Sequence, residues 1–314
     1  MSDRVKREMV VKEIDTNLIE IPVTKISGLE EGPTLAVVAG VHGSEFVGIE
    51  TAIRLSNNIK PEELRGDLLI VSIANLPGFL KRSMHICPVD DKNIGGLFPG
   101  DLSGSYSDKL AAEIFNIIKD SDFIIDLHGG DLEEVLTPYS SWPETFNQQV
   151  DEISEKMAEA FDMPVLLKKM KNKDKQFSKG GLYNAAAEAG IPGILAEAGS
   201  QGILDLELVE RFHYRGVKNV MRFLKMIDGE IEKRFKPTYL KDFVGVYAQQ
   251  RGVFYPEVKA GEILQKGARL GILKDFWGEE LEKVYSPVDC CVLGVITTPS
   301  MDKGNMIAGL GELL

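Results

Sequence analysis

The chain has 314 residues, 44% of them apolar and 27% charged, with 36 basic and 48 acidic side chains. Its formal net charge of −12 argues against general nucleic-acid or anionic-membrane binding, because the field of the whole molecule repels phosphate. The length allows a sizeable core and more than one domain.

The cysteines and the start of the chain indicate a cellular setting. Cys87, Cys290 and Cys291 are odd in number and two are neighbours, which argues against a disulfide framework and fits a reducing compartment. Residues 1–17 lack the apolar segment of a signal peptide, and no apolar run approaches the roughly 20 residues of a membrane span. We therefore expect a soluble cytoplasmic protein.

The first part of the chain alternates strand-like apolar runs with helical patterns. Loosely alternating residues predict edge strands within 8–27, and short apolar runs predict buried strands at 34–40, 66–75, 122–130 and 192–202. Apolar residues at helical spacing predict helices at 46–59, 107–121, 144–161, 180–190 and 205–227, whereas 76–107 is rich in loop residues. This alternation predicts an α/β domain, residues 1–236, in which helices flank a mixed, mostly parallel sheet.

After residue 236 the pattern changes to short β-like segments broken by glycine and proline. The segments GVFYPEVKAGEILQKGARLGIL and VYSPVDCCVLGVITTPSMDKGNMIAGLGE echo each other, each with a strand, a polar turn and another strand. They resemble the barrel-sandwich fold of biotinyl and lipoyl carrier domains, although the connecting SPVDCCV lacks the cofactor-bearing lysine. We expect a small all-β domain, residues 237–314, that is structural or forms a wall of the site. Its predicted hairpin tip, Phe276 and Trp277, would either cap the crevice or pack locally.

Polar residues follow three of the predicted buried strands. His42 and Glu45 follow the first strand, His128 ends the third and Glu197 ends the fourth. Ligands in open α/β sheets bind outside the carboxyl ends of strands, so these residues are expected to meet in one crevice. A lone His-x-x-Glu arises often by chance, and a histidine in an apolar stretch is usually structural. The three strand ends together favour a metal site.

Two histidines and one glutamate form a ligand set of catalytic zinc, which keeps a fourth position open for water. We expect one Zn²⁺ per chain on His42, Glu45 and His128, among glycines that let the backbone approach the ion. Zinc lowers the pKa of its water toward about 7 and polarises a carbonyl oxygen. Glu197 is the expected general base, because apolar surroundings would raise its pKa and let it later act as an acid.

The motifs GVHGSE, NLPGF, PVDDKN followed by FPG, DLHGG and GIPGILAEAG occur in the order of the succinylglutamate desuccinylase/aspartoacylase family, in the zinc carboxypeptidase clan. The chain resembles that family over nearly its whole length. The resemblance implies a zinc carboxypeptidase-like fold and a mononuclear zinc hydrolase that cleaves an amide in a small N-acyl compound. It carries over the three zinc ligands and the base named above. It also matches Asn75 to a family Asn-Pro segment, assigned here to substrate binding, and lets Asp126 orient the His128 ring.

The chain departs from the family pattern at the substrate site. Gly95 and Gly96 replace an Asn-Arg pair, whose arginine helps to hold a substrate carboxylate and is hard to replace. A second family arginine, which polarises the scissile carbonyl, falls near Met84, two residues from Arg82. The resemblance therefore implies intact metal chemistry with a substrate that lacks the usual carboxylate or is held by another cation.

Other side chains are candidates for the altered substrate site. The candidate cations are Arg82, Lys92 and the lysine-rich run 168–180, which is otherwise a solvated loop. Tyr183 stands where an arginine is common in relatives and is a candidate to face the pocket. We expect His85 at the rim or in a structural role, His213 without a function, and Cys87 without the partners of a nucleophile.

Three functions are compatible with the sequence. The leading hypothesis is a zinc-dependent deacylase of a small N-acyl amine or N-acyl amino acid. A metallocarboxypeptidase on short peptides would need a cation for the terminal carboxylate, which the two glycines do not supply. A metal-dependent binding protein without catalysis would commonly have lost a ligand or the base. The expected partner is a small-molecule substrate rather than nucleic acid or membrane, and the sequence leaves a homo-oligomer open.

Overall fold

The computed structural model describes residues 4–14, 17–170 and 180–314. Within these ranges the strands form one sheet of 13, a second sheet of four and a two-stranded ribbon. None of the helices in these ranges combines the length and the apolar character that crossing a bilayer requires.

The elements are numbered in chain order. The strands up to residue 236 are β1 Val5–Ile14, β2 Asn17–Ser27, β3 Glu30–Ala39, β4 Arg65–Val71, β5 Ile86–Cys87, β6 Lys92–Asn93, β7 Phe123–His128, β8 Glu134–Leu136, β9 Tyr139–Pro143, β10 Val165–Lys169 and β11 Gly193–Glu197. The later strands are β12 Thr238–Tyr247, β13 Gly252–Pro256, β14 Ile263–Leu264, β15 Arg269–Lys274, β16 Glu280–Tyr285, β17 Cys290–Ile296, β18 Ser300–Met301 and β19 Met306–Leu313. The α-helices are α1 Phe46–Asn58, α2 Leu76–Lys81, α3 Tyr106–Ile118, α4 Gln148–Phe161, α5 Leu182–Glu188, α6 Leu206–Leu208 and α7 Arg215–Phe223. Single 3₁₀ turns occupy Pro61–Glu63 and Ile94–Gly96, and a π-helical turn occupies Val209–Tyr214.

The large sheet runs in the order β1-β2-β4-β3-β7-β11-β9-β10-β12-β19-β17-β14, with β8 paired to β17. Its centre, β4-β3-β7-β11, is parallel, and so are the pairs β9-β10 and β10-β12. Antiparallel pairs join these blocks and extend both ends of the sheet. The predicted mixed sheet flanked by helices is therefore confirmed, with its parallel part at the centre.

Helices cover both faces of the central strands. Successive side chains of β3 point to opposite faces, so Val37 lies in one apolar core and Val38 in the other. The first core includes Leu55 of α1 and Phe161 of α4, and the second includes Leu110 of α3. Burial on both faces explains why these strands appear in the sequence as unbroken apolar runs.

The C-terminal strands continue the large sheet rather than standing apart from it. Strand β12 pairs in parallel with β10 and then antiparallel with β19. The strands β13, β15, β16 and β18 form the separate four-stranded sheet. A third apolar core holds Phe254 and Leu270 from that sheet together with Val292 and Leu310 from the large one. The predicted strand-rich C-terminal region is confirmed, while the boundary at residue 236 stays a prediction.

The region around β9 differs from the predicted helix at 144–161. The helix begins at Gln148, and the preceding strand β9 is buried along its whole length although it contains two serines and a proline. Ser140 Oγ donates a hydrogen bond to the carbonyl oxygen of Ala158 at 3.2 Å, which satisfies a hydroxyl in the core. The loop predicted at 76–107 also contains helix α2 and the ribbon of β5 and β6.

The helix predicted at 205–227 is interrupted. Helix α6, the π-helical turn and helix α7 follow one another from Leu206 to Phe223. The π-helical turn carries His213, which is fully buried, and its Nε2 lies 2.7 Å from the carbonyl oxygen of His128. π-helical turns are rare and are frequent at functional sites. Here the turn carries a histidine that contacts the end of the strand with a predicted zinc ligand.

A buried ion pair joins the end of α4 to α7. Arg215 Nη1 lies 2.6 Å from Asp162 Oδ2, and both side chains are almost completely inaccessible. Asp162 Oδ2 also accepts a hydrogen bond from the backbone amide of Arg234 at 2.8 Å.

We expect Arg215→Met to lower the free energy of unfolding by about 3–5 kcal/mol, because it leaves a buried carboxylate without its partner. Urea denaturation followed by circular dichroism measures the loss. The control is Arg234→Met, whose exposed side chain makes a 3.3 Å surface pair with Glu232 and should cost much less. Equal losses of unfolding free energy in the two variants would show that the buried Arg215–Asp162 pair contributes no more than the surface pair.

Candidate metal centre and active site

Three neighbouring parallel strands bring the predicted catalytic residues to one edge of the sheet. His128 ends β7, and Glu197 ends β11 directly beside it in the register. His42 and Glu45 lie in the turn between β3 and α1, and β3 is the other neighbour of β7. Parallel strands end at the same edge, so the convergence follows from the topology.

The turn after β3 is shaped by close backbone contacts. A Cβ added at Gly43 would lie 2.2 Å from the backbone nitrogen of Phe79 in α2, so only glycine fits there. Gly40, at the end of the strand, has φ of +69°, a conformation that glycine adopts without strain. The small residues of this motif therefore let two backbone segments pack together and hold the intervening His42 in place.

His42, Glu45 and His128 form a compact group of potential metal ligands. Glu45 Oε1 lies 2.7 Å from His42 Nδ1, and Glu45 Oε2 lies 2.9 Å from His128 Nδ1. One donor atom from each residue lies within 4.8 Å of the other two. Glu45 and His128 are buried and His42 is partly exposed, so the group opens to solvent on one side.

The electrostatics of Glu45 favour its charged form. Burial opposes ionisation, but the imidazoles of His42 and His128 outweigh it and lower the pKa of the Glu45 carboxyl to about 2. The carboxylate is therefore available as an anionic ligand at neutral pH, as cation binding requires.

The outer nitrogen of each imidazole lies close to a side-chain oxygen. Asp126 Oδ1 lies 3.1 Å from His128 Nε2, and Asn93 Oδ1 lies 3.1 Å from His42 Nε2. Both Nδ1 atoms face Glu45. The role of Asp126 in orienting the His128 ring stays a prediction. The partner of His42 was not identified from the sequence, although Asn93 stands in the quoted PVDDKN motif.

Glu197 is partly buried beside this group. Desolvation by burial, followed by the charge of Glu45, raises the pKa of the Glu197 carboxyl well above its usual value. Its Oε2 atom has no hydrogen-bond partner among the described residues. Tyr139 of β9 stands opposite Glu197 in the antiparallel register and faces the same space. Sequence reasoning missed Tyr139 because strand β9 itself was not predicted.

His85 lies beside the candidate metal ligands. Its ring centroid is 5.8 Å from that of His42, and its Nδ1 lies 3.0 Å from Oδ2 of the buried Asp131. Mainly through this hydrogen bond, Asp131 raises the pKa of His85 to about 9. Ser44 donates a hydrogen bond to the same carboxylate. His85 therefore contributes a positive charge that is already paired.

Two cavities meet at the candidate metal centre. Both are lined by His42, Asn93, Tyr139, Glu197 and Phe243. The smaller, of about 270 Å³, contains Gly95, Gly96, Tyr183 and Lys169. The larger, of about 670 Å³, extends toward the C-terminal strands. The candidate metal ligands thus lie at the junction of two differently lined spaces.

The glycines and Tyr183 line the smaller cavity, whereas other substrate candidates lie elsewhere. A Cβ at Gly95 would lie 2.8 Å from His42 Nε2, while a Cβ at Gly96 would meet no atom within 4 Å. Asn75 is fully buried and caps α2 by accepting a hydrogen bond from the amide of Gly78. Arg82 is exposed at the end of α2 and lines neither cavity.

Most of the other candidate residues that the structure describes lie outside both cavities. Lys92 Nζ pairs with Asp108 at 3.0 Å and lines neither cavity. Cys87 is buried, and burial raises the pKa of its thiol, which disfavours a nucleophilic thiolate. Phe276 and Trp277 are exposed and line neither cavity. Residues 171–179 of the lysine-rich run lie outside the described residues, but Lys169 lies within them.

The profile of the succinylglutamate desuccinylase/aspartoacylase catalytic domain family matches residues 31–224. The chain belongs to this family. The matched range contains the four predicted catalytic residues, and the resemblance drawn from the sequence motifs is confirmed. Succinylglutamate desuccinylases and aspartoacylases are deacylating hydrolases of C–N bonds, which makes this member an enzyme of that class.

Individual relatives span nearly the whole chain. The N-alpha-acetyl-L-2,4-diaminobutyric acid deacetylase of Halomonas elongata is 25% identical over 304 residues, 94% of this chain and 86% of the relative. The succinylglutamate desuccinylase/aspartoacylase structure from Rhodobacter sphaeroides has a TM-score of 0.86 at 24% identity, over 99% of this chain and 96% of that one. The product-bound ectoine utilization protein EutE (DoeB) from Ruegeria pomeroyi has a TM-score of 0.85 at 19% identity, over 99% and 100%. The family fold therefore includes the C-terminal strands.

Proposed function

We propose that this enzyme is a zinc-dependent hydrolase that removes the acyl group from a small N-acyl amino acid or N-acyl amine. The observation that carries the proposal is the group of His42, Glu45 and His128, whose donor atoms lie within 4.8 Å of one another. Two imidazole nitrogens and a carboxylate are a donor set of catalytic zinc sites, so these residues fit the ion. Zinc bound there would supply polarisation of the scissile carbonyl and a more acidic water.

Glu197 is the proposed general base. It lies at the neighbouring strand end, and its Oε2 atom has no hydrogen-bond partner among the described residues. This oxygen is therefore free to accept a proton from the attacking water and to return it to the leaving nitrogen. Asp126 and Asn93 would keep the two imidazoles oriented during the reaction.

The relatives favour an amino acid as the leaving group. The Halomonas elongata relative is named for deacetylation of an N-acetylated diamino acid, and the similarity spans nearly the whole of this chain. Peptides and N-acyl amino acids both present a carboxylate, so the substrate class in the name of this relative, and not Gly95 and Gly96, favours one over the other. We therefore place N-acyl amino acids ahead of peptides as substrates.

The test is a metal determination combined with a hydrolysis screen. We expect about one zinc per chain, and amine release from N-acyl amino acids that exceeds cleavage of dipeptides. Faster cleavage of dipeptides would favour the carboxypeptidase alternative. Ligand binding without turnover of any N-acyl compound would favour the binding-protein alternative and overturn the proposal.

Lys169 is the proposed replacement for the missing family arginine. It ends β10, lies with its Nζ 5.9 Å from the centre of the Tyr183 ring, and lines the smaller cavity beside Gly96. We expect Lys169→Met to raise KM for an N-acyl amino acid about tenfold, equivalent to about 1.4 kcal/mol. The effect should vanish for the same substrate with its carboxylate converted to an amide, since no charge is then recognised.

Two further variants make this prediction specific. Lys168→Met is the matched control, because Lys168 Nζ pairs with Glu144 at 3.3 Å and does not line either cavity. Adding Gly96→Arg to Lys169→Met should recover KM, because position 96 has open space for a side chain. An equal rise of KM for the acid and the amide would show that Lys169 does not bind the carboxylate.

A further inference from the structure

Strand β1 forms one edge of the large sheet. It spans ten residues, Val5–Ile14, and within the described residues it pairs only with β2, on its inner side. Met9 and Val11, in the middle of the strand, are 47% and 49% exposed. An exposed edge of this length presents a row of main-chain donors and acceptors to another chain.

The pairing with β2 shows which residues of β1 direct their main chain outward. The register sets Arg4, which precedes β1, opposite Ser27, and the Ser27 amide donates to the Arg4 carbonyl oxygen at 2.8 Å. Hydrogen-bonded and non-hydrogen-bonded pairs alternate along antiparallel strands, so the even-numbered residues bond to β2. Pro22, which lacks an N–H, stands opposite the odd-numbered Met9, in agreement with this alternation. The odd-numbered residues from Val5 to Glu13 therefore direct their N–H and C=O groups away from the sheet.

The charges of β1 complement one another when the strand meets its own copy in antiparallel orientation. Outward groups meet only where odd-numbered residues face odd-numbered residues, which requires a two-fold axis through a residue of β1 rather than between two residues. With the axis at Val10, Arg7 faces Glu13 of the second copy, and Glu8 faces Lys12. Each contact occurs twice because the arrangement is symmetric. Opposite charges directly across from each other stabilise a strand pair.

Other positions of the axis lose this match. An axis at Met9 would set Lys6 opposite Lys12, and an axis at Val11 would leave no opposite charges face to face. Axes at Glu8 or Lys12 would bring each of these side chains against its own copy, and like charges directly opposite are destabilising. Axes nearer the ends would pair fewer residues. The sequence of β1 therefore favours the axis at Val10.

The same axis covers apolar side chains on both faces of the sheet, because successive side chains of a strand alternate between the faces. On the face that carries α1, Met9 meets Val11 of the second copy, and on the other face Val10 meets its own copy. Met9 and Ile53 of α1, which is 38% exposed, border one surface groove of about 350 Å³. A second copy at this edge would therefore cover apolar surface that a single chain leaves in water.

We propose that β1 pairs with β1 of a second copy of this chain about a two-fold axis at Val10, which joins two large sheets into one. Arg7, Met9, Val11 and Glu13 then exchange main-chain hydrogen bonds with the same four residues of the second copy. Lysine on an exposed edge usually prevents strand pairing. From Arg7 to Glu13, however, every charged residue of β1 faces an opposite charge, so the charges that reject other strands accept a second copy.

The test measures the mass of the full chain by size-exclusion chromatography with light scattering, over roughly 1 to 100 μM, a range of moderate affinities. We expect the wild type to reach about twice 34.7 kDa at the upper end of this range. Glu8→Lys should raise the dissociation constant of the dimer about tenfold or more, because two like-charge contacts replace two opposite ones. Adding Lys12→Glu to Glu8→Lys should restore the dimer. The control is Glu279→Lys, an exposed charge reversal between β15 and β16.

A second variant tests the main-chain hydrogen bonds. Met9→Pro removes an N–H that points away from β2, and proline is tolerated on an edge strand whose N–H faces solvent. It should give a monomer with the circular dichroism spectrum of the wild type. Residue-level hydrogen exchange should show protected amides at Arg7, Val11 and Glu13 in the wild-type dimer and rapid exchange at these amides in Met9→Pro.

Three results would overturn the proposal. The first is a wild type that stays monomeric over the whole concentration range. The second is a dimer that persists in both Glu8→Lys and Met9→Pro, because another surface would then join the chains. The third is a Glu8→Lys monomer that Lys12→Glu does not return to a dimer, because residues 8 and 12 would then not face each other. None of these measurements depends on the hydrolytic activity.

Discussion

Replacing Glu197 with glutamine is expected to lower kcat about 10²–10⁴-fold while the metal stays bound. Glutamine keeps the size of the side chain at the end of β11 but cannot take a proton from water. The metal ligands belong to other elements, so their arrangement should persist. Steady-state kinetics and metal determination on the same preparation measure the two quantities.

The control for this variant is Glu207→Gln, which makes the same chemical change in helix α6, away from both cavities. It should leave kcat and metal content at the wild-type level. Wild-type kcat in Glu197→Gln would exclude Glu197 as the base. Loss of metal in that variant would instead show that Glu197 supports the metal centre.

Replacing Glu45 with glutamine is expected to weaken metal binding at least 100-fold and to abolish turnover at ordinary metal concentrations. Glu45 is the single carboxylate between two imidazoles, with its oxygens 2.7 Å and 2.9 Å from their Nδ1 atoms. An amide offers a neutral oxygen and an N–H group in its place, so the centre loses its anionic ligand. Competition with a chromophoric chelator measures the affinity.

Two companion variants test whether the effect is specific. Asp126→Asn changes a residue whose Oδ1 lies 3.1 Å from the outer nitrogen of His128, and contacts of this kind typically contribute 10–100-fold in affinity. Glu50→Gln lies on α1 and removes only a surface pair with Arg54, so it should have no effect. Metal affinity that is unchanged in Glu45→Gln would require a different ligand set.

The central strands and the convergence of the candidate metal ligands and base were predictable from sequence because both depend on local patterns. Strand β3 reads as an apolar run since both of its faces are covered, and His42 follows it directly. His128 and Glu197 also stand at the ends of apolar runs. Parallel pairing then brings these ends together without further information.

Other parts of the site depend on tertiary contacts that leave little trace in the sequence. Strand β9 carries two serines and a proline, yet it is buried because Ser140 finds an acceptor on α4. This strand supplies Tyr139, which was therefore missed. The π-helical turn around His213 is tied to a carbonyl oxygen of another element, which helical periodicity alone does not reveal.

The C-terminal strands illustrate the same limit at a larger scale. Their position depends on β12 pairing with β10, about 70 residues earlier in the chain, and on β8 pairing with β17. Neither pairing has a local signature. The internal repeat predicted a strand-rich region but not which of its side chains would face the metal centre.

The continuous sheet brings strands from both parts of the chain to one cavity. The proposed metal ligands and base all precede residue 200, whereas β12, β17, β18 and β19, which also line the larger cavity, follow residue 237. Substitutions in these strands can therefore change the shape of the cavity without replacing the proposed hydrolytic groups. A chimera that exchanges only the strands after β11 between family members is expected to retain the proposed metal ligands and base.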